Sequence, residues 1–206
     1  SNPLASVLSG LSHLARELDE LSPSLPREAA VDLVETVADA RSAAGRVTRI
    51  VRAMQALAGR HGEGLEPALV APALRRVLEQ AAPRAGQVAI EVALGDLPPV
   101  MGREELLEQV FANLLDNALR AAGGGGRQGR VRVRAIAAGE EVRVEIADDG
   151  PGIPAELRDR VFDPFFTTRE AGSGLGLGLA LCHAVVTAFG GQVVLEDAPG
   201  GGTVAA

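Results

Sequence analysis

The chain has 206 residues, 27 acidic and 20 basic, for a formal net charge of -7. That length fits one large domain or two small ones, and 47 % hydrophobic residues exclude a disordered chain. A single cysteine, Cys182, excludes an internal disulfide framework and a multi-cysteine zinc site, while an acidic chain without Trp, Tyr or a basic stripe argues against a nucleic-acid partner.

Residues 4–21 are expected to be helical: Leu4, Leu8, Leu11, Ala15 and Leu18 recur in steps of four and three, and Val7, Leu14 and Leu21 widen the stripe. Ser22-Pro23-Ser24-Leu25-Pro26 breaks that pattern. A second helix is expected over 27–58, where Ala30, Leu33, Val37, Ala40, Ala44, Val47, Val51, Met54 and Ala58 keep a heptad rhythm. Two such helices form an antiparallel hairpin over residues 1–60. Its stripe is too wide for a lone hairpin, so it either pairs with a second copy as a four-helix bundle or packs on the rest of its own chain.

His61-Gly62-Glu63-Gly64 reads as a linker, and a second domain is expected over 65–206. Within it the patterns predict a helix at 71–82, a strand at 88–92 and a helix at 103–122 stopped by Gly123-Gly124-Gly125-Gly126. Two alternating strands, 131–135 and 142–146, form a hairpin around Ala138-Gly139. Residues 150–173 are irregular; a helix at 175–189 and strands at 192–196 and 203–206 close the chain. Helices on one face of a mostly antiparallel sheet make an α+β sandwich. No apolar stretch approaches the roughly 20 residues that cross a bilayer, and no signal peptide is recognisable. A cytoplasmic location is therefore expected, with any membrane anchor lying in segments absent from this chain.

Four blocks carry chemistry. On helix 103–122, Leu107, Val110, Phe111, Leu114, Ala118 and Ala121 form one face, and Gln109, Asn113, Asn117 and Arg120 line the other. Asn113 and Asn117 are two of only three asparagines in the chain. A solvated face usually carries Glu and Arg, whereas amides in line with an arginine suit a hard cation and a polyanion. The second block, Asp148-Asp149-Gly150-Pro151-Gly152-Ile153, is either a strand-ending turn or a carboxylate above a glycine floor. The third, Val161-Phe162-Asp163-Pro164-Phe165-Phe166-Thr167-Thr168-Arg169, holds three of the five Phe. It is either a satellite core or a lid pinned by its rings. The fourth, Gly172-Ser173-Gly174-Leu175-Gly176-Leu177, opens a helix and can present backbone N–H groups to an anion. It is neither a Walker A loop nor a Rossmann fingerprint.

In this order the blocks resemble the N, G1, F and G2 boxes of the histidine-kinase ATP-binding domain, of the Bergerat type shared with type II topoisomerase, a heat-shock chaperone and mismatch-repair proteins. Gly190-Gly191 and Gly200-Gly201-Gly202-Thr203 resemble the closing turn and G3 segment, so the likeness covers residues 65–206. The hairpin is similar to that family's dimerisation and phosphotransfer domain, and Asn2-Pro3-Leu4 looks like the tail of its His-Glu-x-x-Asn-Pro-Leu box. In that alignment the phosphoacceptor histidine falls upstream of Ser1, and His13 is an ordinary surface or seam residue.

The resemblance implies a sensor histidine kinase core that binds ATP and Mg²⁺. It implies transfer of the γ-phosphate to a histidine and then to a response-regulator receiver domain, and homodimerisation through the hairpin. Asp148 would hold the adenine amino group, supported by Thr203. Asn117 would ligate Mg²⁺, while Asn113 and Arg120 contact phosphate or metal; these three would be catalytic. Gly150, Gly152, Ile153, Phe165, Thr168, Gly172, Ser173, Gly174, Leu175, Gly176 and Leu177 would complete the nucleotide pocket. The alternatives are an ATP hydrolase or clamp of the same superfamily, or a serine-directed kinase. Clamp-type members place Glu four residues before the metal Asn as a base for water; here that position is Asn113, whose amide cannot take a proton.

Overall fold

The computed structural model describes residues 3–21, 30–34, 36–38, 40, 43–45, 65–124, 128–168 and 176–206. The chain divides into two units, Ser1–Gln55 and Ala56–Ala206. In the first, α1 spans Pro3–Leu21, as its apolar spacing predicts. Residues 30–34, 36–38, 40 and 43–45 are helical too. The remainder of the expected second helix, with Val47, Val51, Met54 and Ala58, lies outside the described residues, as do the 22–26 break and the 61–64 linker. Val7, Leu14 and Leu21, spaced by sevens, stay 51–55 % exposed. Exposed apolar side chains at heptad spacing are compatible with a coiled-coil seam. His13 lies on the surface, 3.9 Å from Glu17.

The second unit is a two-layer sandwich. Its elements are β1 (Glu66–Ala68), α2 (Val70–Ala81), β2 (Ala89–Leu94), β3 (Val100–Gly102), α3 (Glu104–Gly123), β4 (Arg130–Ala138), β5 (Glu141–Asp148), α4 (Gly178–Ala188), β6 (Leu195–Asp197) and β7 (Thr203–Ala205). The main sheet runs β2-β4-β5-β7-β6. β4 and β5 pair antiparallel from Val131↔Asp148 to Ala138↔Glu141, as their alternation predicts. β2 joins β4 in parallel, a pairing that needs a crossover, which α3 supplies. Val131, Val133, Ala135 and Ile146 point inward and are at most 2 % exposed. On that face α3 packs against β4 and β5 and has α2 and α4 for neighbours. Arg76 of α2 forks between Glu104 and Glu108 of α3, and Arg84 reaches Asp116 at 2.9 Å.

Several expectations shift. α3 buries Leu115, Leu119 and Ala122 besides the predicted face, whereas Ala121 is only half-buried. A helix with neighbours on several sides is not described by a single stripe. β1 and β3 form a small antiparallel sheet that the pattern did not predict; three residues are too few for alternation to register. α4 begins at Gly178 rather than 175, and β6 covers 195–197 rather than 192–196. Val194 and Ala206 nevertheless exchange backbone hydrogen bonds of 2.8 and 3.0 Å ahead of β6.

Leu115 is 2 % exposed and among the largest fully buried side chains. Leu115→Ala is expected to cost about 2–5 kcal/mol, measured by urea unfolding followed by circular dichroism. A loss below about 1 kcal/mol is more typical of a surface substitution and would place Leu115 outside the core.

Candidate functional site

The site is built outward from the end of β5. Strand alternation turns Asp148 to the inner face, where it is 8 % exposed, the one buried charged side chain among the described residues. Its Oδ1 accepts the backbone N–H groups of Gly150 (2.9 Å) and Thr203 (3.4 Å). The other oxygen has no hydrogen-bond partner among the described residues. Burial, the largest effect, raises the Asp148 pKa; the two N–H groups pull it down, and the neighbouring Asp149 charge pushes it up.

Backbone comes unusually close to this carboxylate. Gly202 has φ +98°, and a Cβ there would lie 2.0 Å from the Asp148 carbonyl oxygen. Only glycine meets both the conformation and the space. Gly152 lies alongside, where a Cβ would be 3.4 Å from the Gly202 carbonyl oxygen. Across the layer, a Cβ on Gly150 would come within 2.8 Å of Ala121 on α3. Asp148, Gly150, Gly152 and Thr203 are thus brought together at one end of the unit, with Ile153 next in the chain.

A second group gathers further back along α3. Asn113 faces the start of α4: its Oδ1 would be 3.8 Å from a Cβ on Gly178. Its Nδ2 is buried, with no hydrogen-bond partner of good geometry among the described residues. The Cys182 thiol donates to the Val110 carbonyl oxygen at 3.6 Å. Burial, the largest effect, pushes this thiol up to about 12, and the Asn113 side chain, placed to donate toward the sulfur, opposes the shift. Gly176, at φ +64°, accepts the Phe165 N–H at 3.0 Å, and a Cβ there would strike the Phe165–Phe166 backbone at 2.4–2.5 Å. The F-box segment and the approach to α4 are therefore locked backbone to backbone. Asn117 lies between the two groups and is half-buried; Arg120 is exposed in the last turn. At 1.5 Å per residue, the eight positions from Asn113 to Ala121 span about 12 Å.

Other expected residues fall differently. Leu177 is a core residue, 8 % exposed. Thr168 is exposed. Phe165 holds φ +69° and its ring is 67 % exposed, so its backbone rather than its ring meets Gly176. Phe162 packs on His183 (centroids 5.4 Å apart), and Arg160 covers Phe166 at 4.7 Å. Gly172, Ser173, Gly174 and Leu175, with Arg169, lie outside the described residues.

Among the described residues no cluster of three His, Cys, Asp or Glu could hold a metal by itself. No helix among them is long and apolar enough to cross a membrane. A recess of about 470 Å³, lined by Arg130, Arg132, Arg134, Glu145, Asp148, Asp149 and the 198–201 loop, opens beside the sheet. Glu91 pairs with Arg130 (3.3 Å) and Arg132 (3.5 Å), and Arg143 with Glu145 (2.9 Å). That side of the sheet has the character of a solvated ion-pair lattice.

Residues 102–206 match the family model described as histidine kinase-, DNA gyrase B- and HSP90-like ATPase. Over 114 residues, 53 % of its length, the chain is 43 % identical to the C4-dicarboxylate transport sensor protein DctB of Rhizobium meliloti, covering 18 % of that protein. It is 31 % identical over 97 % of its length to the alginate biosynthesis sensor protein KinB of Pseudomonas aeruginosa, covering 33 % of it. The chain thus spans a third or less of these relatives. Among solved structures, the mycobacterial sensor histidine kinase MprB matches 68 % of the chain and 93 % of its own at TM-score 0.60 and 33 % identity. Full-length ShkA in complex with AMPPNP matches 98 % of the chain and 44 % of its own at TM-score 0.71 and 27 % identity.

The raised Asp148 pKa has a thermodynamic consequence. A carboxyl that holds its proton more tightly folded than unfolded favours folding below its unfolded pKa; that favour is lost as pH rises through the folded value. At neutral pH the ionised Asp148 is therefore a burden on the fold. Asp148→Asn keeps an acceptor for Gly150 and Thr203, so it is expected to melt as high as the parent or higher at pH 7–8. The difference should close as pH falls toward the ordinary carboxylate range. A variant that melts several degrees lower at neutral pH would contradict this balance.

Proposed function

We propose a specific role for this chain, which belongs to the histidine kinase-, DNA gyrase B- and HSP90-like ATPase family: it is the catalytic core of a two-component sensor histidine kinase. The observation that carries the nucleotide reading is the buried Asp148 carboxylate, one oxygen fixed by two backbone N–H groups and the other unpaired. A fixed acceptor of that kind suits an exocyclic amino group such as adenine's. Further along α3, the buried Nδ2 of Asn113, without a well-placed acceptor among the described residues, suits an anionic oxygen. The two ends fit one adenine nucleotide.

On this reading Asp148 and Thr203 hold the base end, with Gly150, Gly152 and Ile153 giving the base access to them. Asn113 donates to a phosphate oxygen, and Arg120 adds positive charge from the same helix. Asn117 offers an amide oxygen to Mg²⁺, which would share its coordination with the phosphates, since the described residues supply no carboxylate cage. ATP supplies the transferable γ-phosphoryl group. The 1–60 hairpin is the dimerisation and phosphotransfer element, with the receiver domain of a response regulator as the next acceptor. The match to KinB along nearly the whole chain supports that arrangement. So does the exposed seam Val7, Leu14, Leu21. A hydrolase reading lacks its base, because Asn113 cannot accept a proton.

Calorimetry separates the two ends. Losing a charge-assisted hydrogen bond costs about 1.5–3 kcal/mol, roughly 10- to 150-fold in affinity. Asp148→Asn should weaken ATP and ADP together by that factor, with or without Mg²⁺. Asn117→Ala should remove mainly the Mg²⁺-dependent part of ATP binding. GTP carries a carbonyl where ATP carries the amino group, so the wild-type chain should reject it. Equal binding of GTP and ATP would remove Asp148 from the site. The seam makes a separate prediction: light scattering should give a dimer mass for the chain and a monomer mass for Val7→Glu/Leu14→Glu. A monomeric parent at high micromolar concentration would reject the hairpin as a dimerisation element.

A further inference from the structure

The Asp148 end of the unit is assembled from three segments: the turn after β5, the short helical turn Ala155–Leu157 that follows it, and the distant β6–β7 connection. One side chain joins all three. Arg158 directs Nε and Nη2 at the Ile153 carbonyl oxygen, at 3.3 and 3.4 Å, and its Nη2 also donates to the Asp197 carboxylate. Asp197 ends β6 and stands opposite Thr203 in the β6–β7 register. Thr203 donates its N–H to Asp148, and the Ala198 N–H closes the connection onto the Gly202 carbonyl oxygen at 3.1 Å. The ion pair raises the pKa of the Arg158 guanidinium and lowers that of the Asp197 carboxyl.

The pair is too exposed to matter much for stability: the Asp197 side chain is 69 % exposed and that of Arg158 36 %. Its position is what gives it a function. The guanidinium ties the Ile153 wall of the base pocket to the strand end that carries Thr203. The planar fork lets one group serve a carbonyl and a carboxylate at once, which an ammonium cannot reproduce.

We infer that Arg158 and Asp197 form a positioning pair that sets the width of the base pocket and so tunes affinity for the adenine half of the nucleotide. The inference rests on the nucleotide reading above and concerns two residues to which that reading assigns no part. Arg158→Ala and Asp197→Asn should each weaken ADP, measured without metal, by about two- to fivefold. The Mg²⁺-dependent increment of ATP binding should stay as it is. The double variant should be no weaker than the worse single variant, and Arg158→Lys should restore the parent affinity only partly. Adenosine supplies the readout that a merely structural role would not move. It is uncharged, so salt acts on its binding only through the protein. Raising ionic strength should weaken adenosine binding to the parent by about twofold and leave Asp197→Asn unchanged. Melting temperatures of all variants should stay within about a degree of the parent. If the parent binds ADP and adenosine but the variants match it, or the two losses simply add, the positioning pair is rejected while the nucleotide site stands. If the parent binds neither ligand, both readings fall.

Discussion

The Asp148 carboxylate leaves water only because its Oδ1 takes two backbone N–H groups in exchange. Burying an anion without such partners would cost several kcal/mol or force it to hold its proton. Everything at that end of the unit follows from delivering those donors. Gly150 can turn back on Asp148 because a Cβ there would run into Ala121, so no side chain stands between the strand end and α3. The Thr203 N–H arrives because Gly202 crosses the Asp148 carbonyl at a distance closed to every other residue. The glycine-rich connection between β6 and β7 therefore helps hold the Asp148 carboxylate and is not merely a turn.

α3 carries the second constraint. It lies between α2 and α4 and also covers the sheet, so its buried positions run well beyond one stripe. Where α4 starts, small groups meet: Gly178 faces Asn113, and Cys182 sits beneath it. The close approach leaves an amide donor in the interface with no acceptor of good geometry among the described residues. A buried orphan donor carries a penalty of about 1–3 kcal/mol, which a close-packed interior would not retain without cause. Its position, one helical turn before Asn117, suits the phosphate contact proposed above.

Much of this was legible in the sequence. Alternation placed β4 and β5, and the 3-4 spacing set α1, α2 and α3 within a residue or two, because each segment is long enough for its period to be counted. Asp148 was legible as a strand end followed by glycines, and Asn113 with Asn117 as amides where charges are usual. What escaped depends on partners distant in the chain. β1 and β3 exist only because they pair with each other. Ala121 fits the apolar stripe of α3, yet lies only half-buried beside Gly150, because a tertiary contact decides its surroundings. No local signal joins Arg158 to Asp197, 39 positions on. Phe165 shows the same limit: nothing in its place in the motif signalled a left-handed backbone with the residue exposed.

The two ends of the proposed site differ in kind, and the difference bears on how a nucleotide would be sensed. At the base end two backbone N–H groups already occupy one oxygen of Asp148. Binding there requires little rearrangement, so affinity is governed by fit and by the single hydrogen bond gained. At the Asn113 end the fold leaves a donor unmet beside the first turn of α4, and that turn is locked through Gly176 to the Phe165–Phe166 backbone. A phosphate oxygen that satisfied Asn113 would act on the same junction that fixes the aromatic segment. A ligand shifts a conformational equilibrium only by its differential interaction with the two states. The base, already provided for, has little such leverage; the phosphates, meeting an orphaned donor, have it. On the proposed reading the adenine end would decide which ligand is bound, and the phosphate end would be where its bound state acts on the segment that Phe162, Phe165 and Phe166 occupy.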